Sequence, residues 1–486
     1  MSTNKSLAKN AIFNIIYRVL NVIFPLISAT YVARVLLPEG VGHVSYAQNI
    51  VSYFTMLAAL GIPSYGTREI SKCRDNQENT NCVFSELFII NGLSTIICTS
   101  AYLVLVLSRF SDDLHIYYIC GLAILFNFIN IDWFYQGKEE YAYIAVRSSL
   151  VKFLSIILLF IFVKGPSDYL KYALITCLAT GGNYIFNIFH ARKYVRFTFK
   201  NLKIKRHMKP IIYLVICVVA AELYSKVDTT MLGTMCNNQI VGFYTNAQKL
   251  IGLVNTLTTA ISTIFLPRIS YYFLKDRKKY NECITLGLKI VSFFAVPAFI
   301  GIILVSDNLT YVMFGEAFMP ASNTIRVLSS LILIKSFGDL LCYQVIISSG
   351  NEKKLFRSYL LAASLNIILN ALLIPHFQQN GAAFASVASE LLLNATLFFM
   401  VSIKIIHLDI SRKYIFSLVI SALFMGISTY AVGQFVLNHF IGLVSQVVVG
   451  VSVYMIINTL LKNEMIYSLL DKVKVKLSHK RKNERE

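Results

Sequence analysis

Runs of about 20 apolar residues recur along the whole chain, separated by short charged or Gly/Pro-rich breaks. A helix that rises 1.5 Å per residue needs about 20 residues to cross a hydrocarbon core of about 30 Å. The composition agrees, because 56% of the 486 residues are hydrophobic and only 14% are charged, unlike the balance of a soluble domain. We therefore predict an all-α integral membrane protein with about 14 transmembrane helices. The predicted spans are 11–33, 41–60, 84–107, 115–135, 144–163, 169–190, 211–232, 240–266, 284–306, 320–348, 357–374, 381–403, 415–435 and 440–461.

Basic residues are distributed unevenly between the predicted loops. The chain has 45 Lys and Arg against 25 Asp and Glu, a net charge of +20, which in a soluble protein would suggest a nucleic-acid partner. With a cytoplasmic amino terminus, most of these residues lie in inner segments, and the outer loops with their flanking span ends hold only Arg34, Arg109, Lys164 and Lys171. Because Lys and Arg are retained on the cytoplasmic side, we expect a multi-pass protein of the plasma (inner) membrane with both termini cytoplasmic and no nucleic-acid partner.

The segment Arg192–Pro210 carries eight basic residues and no acidic one. This segment is predicted to be a linker between two sets of six spans. Its positive charge either holds the segment at anionic inner-leaflet lipids or forms a specific binding site for a lipid or a partner. The predicted organisation is an N-lobe of spans 1–6 (1–190), a basic cytoplasmic linker (191–210), a C-lobe of spans 7–12 (211–403), spans 13–14 (404–461) and a basic cytoplasmic tail (462–486). In the tail, an amphipathic helix on the inner membrane surface is predicted from apolar residues at helical spacing. These residues are Ile466, Leu469, Leu470, Val473 and Leu477.

The chain resembles itself at an offset of 200 residues. Val41–Gln48 and Val241–Gln248 both begin with Val-Gly and end with Ala-Gln, and Arg68 and Arg268 follow each of them at the same distance. A later pair of similar segments leads to Arg147-Ser148 and Arg357-Ser358. An even number of spans separates the copies, so both have the same orientation in the membrane. Transporters with two such lobes bind substrate at the lobe interface and alternate access by rocking.

The candidate charges inside predicted spans are Arg18, Glu222, Lys226, Asp228, Lys249, Lys289, Arg326, Lys335, Asp339 and Glu390. A charge facing lipid would cost at least about 2.5 kcal/mol there. They must therefore face protein or water, although Lys289 and Arg326 lie near span ends and could instead extend to the interface. Glu222 with Lys226, and Lys335 with Asp339, are four residues apart and can pair on one helix face; the first pair is either part of a substrate site or a structural clamp.

Basic groups outnumber acidic groups among these ten residues, which suits an anionic substrate such as a diphosphate. The predicted substrate-binding residues are Arg18, Lys226, Lys249, Arg326 and Lys335. The predicted ion-coupling or ion-pairing residues are Glu222, Asp228 and Asp339. The sequence predicts no catalytic residue, no metal site and no cofactor.

Several motifs resemble one known family. They are Leu7–Asn10, Tyr31–Gly42, Thr67–Ile70, Asp132–Tyr141 and Val227–Gly233. Together they resemble the polysaccharide-export (Wzx-type) family of lipid-linked oligosaccharide flippases, within the superfamily that also holds MATE antiporters and lipid II flippases. The resemblance implies two six-helix lobes in a V-shaped, MATE-like arrangement, here with two further carboxyl-terminal helices. One departure is Leu36-Leu37, where the family usually has Leu-Gly before Pro.

The resemblance and the charges together favour a transporter rather than an enzyme. We expect a flippase that moves an undecaprenyl-diphosphate-linked oligosaccharide repeat unit by alternating access, for capsule, O-antigen or another surface polysaccharide. An H⁺ or Na⁺ coupling ion and a polysaccharide polymerase are possible partners. A MATE-type cation or drug antiporter is one alternative, but acidic groups should then outnumber basic groups in the spans. An integral-membrane glycan polymerase or ligase is another, and it would need a longer outer loop for its catalytic residues.

Overall fold

The computed structural model describes the backbone of residues 2–200 and 202–466, and the side chains from residue 23 onward except those at 112, 217, 220, 221, 261, 352, 353 and 402. All of the long elements in this part of the chain are helices. They are α1 (Ser2–Ala59), α2 (Ile62–Cys73), α3 (Gln77–Arg109), α4 (Leu114–Phe128), α5 (Asp132–Gly137), α6 (Tyr141–Phe162), α7 (Tyr169–Ala191), α8 (Lys205–Met235), α9 (Asn238–Thr263), α10 (Leu266–Lys275), α11 (Arg277–Phe314), α12 (Ala321–Gly338), α13 (Val345–Ser348), α14 (Glu352–Leu397), α15 (Ile403–Ile405), α16 (Arg412–Phe435) and α17 (His439–Leu460).

The predicted spans coincide with these helices. Among the described residues, eight helical segments are long and apolar enough to cross a membrane. One of them, Lys354–Ile405, covers two predicted spans, and α1 covers two others. The prediction of an all-α, multi-pass membrane protein is therefore confirmed, and about 14 spans is consistent with the helices observed.

Two predicted spans in α1 meet at a sharp break in the backbone at Leu37. Its φ of 60° and ψ of 173° are non-helical and lie in a region that is essentially reserved for glycine. Leu37 occupies the position where the family usually has glycine, so the departure noted in the sequence places a branched side chain on a strained backbone. The side chain is 41% exposed, and it therefore adds little packing to offset that strain.

The helices form two compact units, residues 1–245 and 246–486. In the first unit, Trp133, Phe134 and Tyr135 on α5 are almost completely buried in a core shared with α2 and α3. Gly66 on α2 permits this packing, because a β-carbon there would lie 2.6 Å from the Trp133 ring. The aromatic part of the Asp132–Tyr141 motif thus stabilises the core of the first unit.

The basic segment around the start of α8 is fixed to α3 by a buried carboxylate. The Glu86 side chain is 1% exposed, and its Oε2 lies 2.5 Å from Arg206 Nη2 and 2.7 Å from His207 Nε2. The backbone N–H of Lys203 donates to the same carboxylate. Because a buried charge needs close partners, at least one basic residue of the predicted linker stabilises the first unit rather than binding a lipid.

In the second unit, α16 and α17 pack against α11. Tyr454 donates from its hydroxyl to the Phe293 carbonyl at 2.9 Å, and Tyr414 donates to the Lys289 carbonyl at 2.6 Å. The ammonium of Lys289 lies 2.6 Å from Glu464, just beyond α17. The four residues from Leu469 to Leu477 that define the predicted amphipathic helix lie outside the described residues.

The internal repeat extends to the secondary structure. Helices α2 and α10 are short, each follows one copy of the repeat, and each has proline in its first turn. Ile70, after Arg68, and Ile269, after Arg268, are both completely buried. The helices that follow the two copies of the sequence repeat therefore have the same local structure, with α2 in the first unit and α10 in the second.

Candidate substrate and ion sites

Glu222 and Lys226 line a cavity of about 520 Å³ inside the first unit. Their spacing of one helical turn places both side chains on the same face of α8, and Lys226 Nζ lies 3.9 Å from Glu222 Oε2. The Lys226 side chain is 35% exposed, and the Glu222 side chain is 41% exposed. A loose, partly exposed pair of this kind contributes little stability, so both groups can bind a ligand without a large cost.

Apart from its apolar side chains, the cavity is lined by amides and hydroxyls from α1, α4, α7 and the turn after α4. These residues are Gln48, Ser52, Thr55, Asn127, Asn130, Thr176 and Thr180. Gln48 Nε2 donates to Thr176 Oγ1 at 3.0 Å, which joins α1 to α7. Asn127 Nδ2 donates to Asn91 Oδ1 at 3.1 Å. Sequence reasoning concentrated on charges and missed these neutral residues, although their recurrence inside apolar spans was a usable signal.

A hydrogen-bonded contact between α1 and α8 holds Lys226 in position. Asn49 Nδ2 donates to the Thr230 hydroxyl at 2.7 Å and to the Lys226 carbonyl at 3.3 Å. The Tyr53 hydroxyl lies 2.8 Å from the same threonine. Asn49 is only 8% exposed, so this contact fixes the backbone of Lys226 while leaving its ammonium free to move.

Asp228 does not share the cavity with Glu222 and Lys226. Two residues along a helix correspond to about 200° of rotation, and Asp228 is accordingly buried elsewhere, at 3% exposure. Its Oδ2 accepts a hydrogen bond of 2.6 Å from the Tyr244 hydroxyl. This contact joins α8 to the first turns of α9, which makes Asp228 an anchoring residue within the first unit.

In the second unit, the predicted pairing of Lys335 is wrong. Lys335 Nζ lies 3.6 Å from Glu390 Oε2 on α14, whereas Asp339 accepts a hydrogen bond of 2.5 Å from the Thr259 hydroxyl on α9. The i,i+4 spacing allowed the pair, but the packing of α12 against α14 brings a more buried carboxylate to the lysine. The Lys335 side chain remains 40% exposed, whereas that of Glu390 is 9% exposed.

The helix changes its hydrogen-bonding pattern beside this cluster. Asp339–Gln344 is a π-helical stretch that directly follows α12, and such insertions are frequent at functional sites. Gly338 precedes it, and a β-carbon there would lie 2.0 Å from the Asn394 amide oxygen. Asn394 in turn donates to Glu390 Oε1 at 3.2 Å. Lys335, Asp339 and Glu390 are therefore held by one tightly packed crossing of α12 and α14.

The remaining predicted residues are not brought into these clusters. Arg326 Nη2 forms an ion pair with Asp307 on α11, and its Nη1 donates to Asn323 at 2.5 Å. Lys249 is exposed on α9. The side chain of Arg18 lies outside the described part of the chain.

The family model for polysaccharide biosynthesis proteins matches residues 7–273 of the chain, which is more than half of its length. The chain belongs to this family. Among its relatives, a protein of Escherichia coli (strain K12) named "Putative O-antigen transporter" is 25% identical over 411 residues, covering 82% of this chain and 98% of that protein. The family predicted from the sequence motifs is therefore confirmed.

Two solved transporters have a similar structure. The lipid II flippase MurJ in its inward closed conformation matches with a TM-score of 0.74 at 18% identity, covering 94% of this chain and 99% of that chain. A multidrug resistance MATE family transporter of the MOP superfamily, in an inward-facing conformation, matches with a TM-score of 0.63 at 16% identity, covering 80% and 94%. At these identities the likeness shows the fold alone, and it is the superfamily fold that the motifs implied.

Proposed function

We propose that this polysaccharide biosynthesis protein is a flippase for an undecaprenyl-diphosphate-linked oligosaccharide repeat unit that is destined for a surface polysaccharide. The observation that carries this proposal is the cavity lined by Lys226 together with amides and hydroxyls, inside a unit built from apolar helices. Amides and hydroxyls are suitable partners for sugar hydroxyls, and an ammonium group is a suitable partner for a diphosphate. The E. coli relative, named for O-antigen transport, supports the same substrate class.

Lys226 and Lys335 are the proposed substrate-binding residues, since both ammonium groups are partly exposed and only loosely paired. Arg18, Lys249 and Arg326 remain predicted substrate contacts. Glu222 and Asp339 are the proposed groups for a coupling H⁺ or Na⁺. Asp228 is better suited to anchoring because it is buried against Tyr244.

The proposal also includes the orientation of the protein in the membrane. The protein would lie in the plasma (inner) membrane with both termini cytoplasmic, because its basic loops are on that side. The N-lobe (1–190) and C-lobe (211–403) would rock around the substrate to alternate access. A polysaccharide polymerase would receive the translocated unit, and the basic segments would contact anionic inner-leaflet lipids.

Deletion of the gene in its native host tests this function. Membrane lipids and surface glycan are quantified by mass spectrometry, with the restored gene as a control. We expect lipid-linked repeat units to accumulate on the cytoplasmic side and surface glycan to be lost. Normal glycan with altered drug sensitivity would instead support the antiporter, and translocated single units that remain unpolymerised would support a polymerase or ligase.

A further inference from the structure

A second cavity, of about 550 Å³, lies on the exposed side of α6 and α7 in the first unit. Its walls are apolar, and their exposed side chains are Val146, Leu150, Leu154, Phe186 and Phe189. One end is basic, formed by Arg147, His190 and Lys193. An apolar groove with a cationic end has the pattern of a lipid site, in which hydrocarbon and headgroup are bound separately.

Arg147 is the unusual residue of this groove. It is 6% exposed, and Nη2 lies 2.9 Å from Asp132 Oδ1, which also accepts from Asn187 at 2.5 Å. Nε and Nη1 of Arg147 are buried without a hydrogen-bond partner among the described residues, and so is Nδ1 of His190. Leaving buried donors unpaired is costly, so the guanidinium requires an additional acceptor that the described residues do not supply.

The groove has a suitable depth for a headgroup. Arg147 is six residues into α6, which corresponds to about 9 Å along the helix. The segments before α6 and after α7 are predicted to be cytoplasmic, so the basic end faces the inner headgroup region. Leu150 and Leu154 continue from it toward the middle of the bilayer.

The charge of the basic end distinguishes between phosphate-bearing lipids. Asp132 offsets the charge of Arg147, and Lys193 adds about one further positive charge when His190 is neutral. A phosphodiester carries one negative charge and matches this balance, whereas a lipid diphosphate carries more. Guanidinium N–H groups also match phosphate oxygens in geometry.

We propose that the groove between α6 and α7 is a binding site for an anionic phospholipid of the inner leaflet. The phosphodiester would accept hydrogen bonds from Arg147 and Lys193, and an acyl chain would lie along Leu150 and Leu154. This site is separate from the substrate cavity and does not depend on the substrate proposed above.

Native mass spectrometry of the full chain, with phosphatidylglycerol and phosphatidylcholine as probes, tests the proposal. We expect the wild type to prefer phosphatidylglycerol by at least about tenfold, because hydrogen bonds between charged partners are the strong ones. The variant Arg147→Gln should lose this preference. Arg357→Gln is the matched control, because Arg357 occupies the equivalent position of the internal repeat but is exposed, and it should keep the preference.

Two further variants separate binding from folding. Arg147→Gln combined with Asp132→Asn removes the guanidinium without leaving an unpaired carboxylate, and Lys193→Gln changes an exposed residue. Both should fold and both should reduce the preference. The proposal is overturned if the wild type shows no preference, or if both of these variants retain it. Tighter binding of undecaprenyl diphosphate than of phosphatidylglycerol, lost in Lys193→Gln, would also overturn the phospholipid assignment.

Discussion

Gly42 and Gly242 occupy equivalent positions of the internal repeat, and their backbones lie against each other. A β-carbon built on Gly42 would lie 2.7 Å from the Gly242 backbone nitrogen, and one built on Gly242 would lie 3.2 Å from the Gly42 nitrogen. Three residues further along, the hydroxyls of Ser45 and Thr245 are 3.4 Å apart. The repeat in the sequence thus places its own two copies in direct contact, through residues that are too small to separate the helices.

Gly42→Ala should destabilise this contact. The new methyl group has no room, and moving the backbone of α1 away from α9 should cost about 1–3 kcal/mol. Thermal unfolding of the purified protein in detergent measures the effect. Gly252→Ala is the matched control, since Gly252 is also on α9 and a β-carbon there meets no atom within 4 Å. Equal stability of the two variants would contradict the close contact between α1 and α9 at Gly42 and Gly242.

Leu37→Gly should stabilise the protein by about 1 kcal/mol, because glycine adopts the observed φ and ψ without strain. Little packing is lost, since Leu37 is 41% exposed. The neighbouring change Leu36→Gly should have the opposite effect, because Leu36 is 1% exposed. Unfolding midpoints of both variants test the prediction, and a lower midpoint for Leu37→Gly would show that the backbone at this residue is not strained.

Glu86→Ala should loosen the basic segment around the start of α8. It leaves the His207 ring, which is 1% exposed, and the backbone N–H of Lys203 without their carboxylate partner. Leaving a buried polar group unsatisfied costs about 1–3 kcal/mol, and Arg206, 47% exposed, can turn to solvent. The control is Glu139→Ala, whose side chain is 64% exposed and forms an ion pair with the exposed Arg74; it should change stability by less than about 0.5 kcal/mol. Protease accessibility of residues 192–210 gives a local measurement, and protection in Glu86→Ala would contradict the anchoring role.

The contact between Glu464 and Lys289 should depend on pH. The Lys289 ammonium and the Ser411 hydroxyl hold the pKa of Glu464 below its usual value. Because the pKa is lower in the folded state, this contact stabilises the protein above the unfolded pKa of about 4.5 and is lost as the pH falls through the folded value. Glu464→Gln should therefore be less stable than wild type at pH 7, with the difference vanishing in strong acid.

Hydrogen exchange in α16 and α17, followed as the pH is lowered from neutral, measures this dependence. Glu282→Gln changes an exposed carboxylate on α11 and should show no such convergence. A constant difference between Glu464→Gln and wild type at all pH values would exclude the ion pair as its cause.

Features that depend on spacing along one helix could be predicted from the sequence. Apolar runs predict helices because a span must satisfy its backbone polar groups internally. The four-residue spacing of Glu222 and Lys226 predicts that both lie on one helix face, and both line the same cavity. The opposite direction of Asp228 followed from the same helical geometry.

Features that depend on how helices pack could not be predicted in this way. The partner of Lys335 is 55 residues away on α14, and the packing of α12 against α14 brings Glu390 rather than Asp339 to it. The strain at Leu37 is a property of backbone angles that the residue type does not favour. The cavity walls use neutral residues such as Asn127, which in a single sequence look like ordinary polar residues tolerated in a span.

Reconstitution of the purified protein in vesicles tests the central proposal most directly. An undecaprenyl-diphosphate-linked oligosaccharide is supplied, and its appearance on the opposite leaflet is measured with a membrane-impermeant glycosidase. We expect transfer by the wild type and by the exposed control Lys413→Gln, and a decrease of at least about tenfold when Lys226→Gln and Lys335→Gln are combined. No transfer by the wild type, or equal transfer by the double variant, would contradict the account.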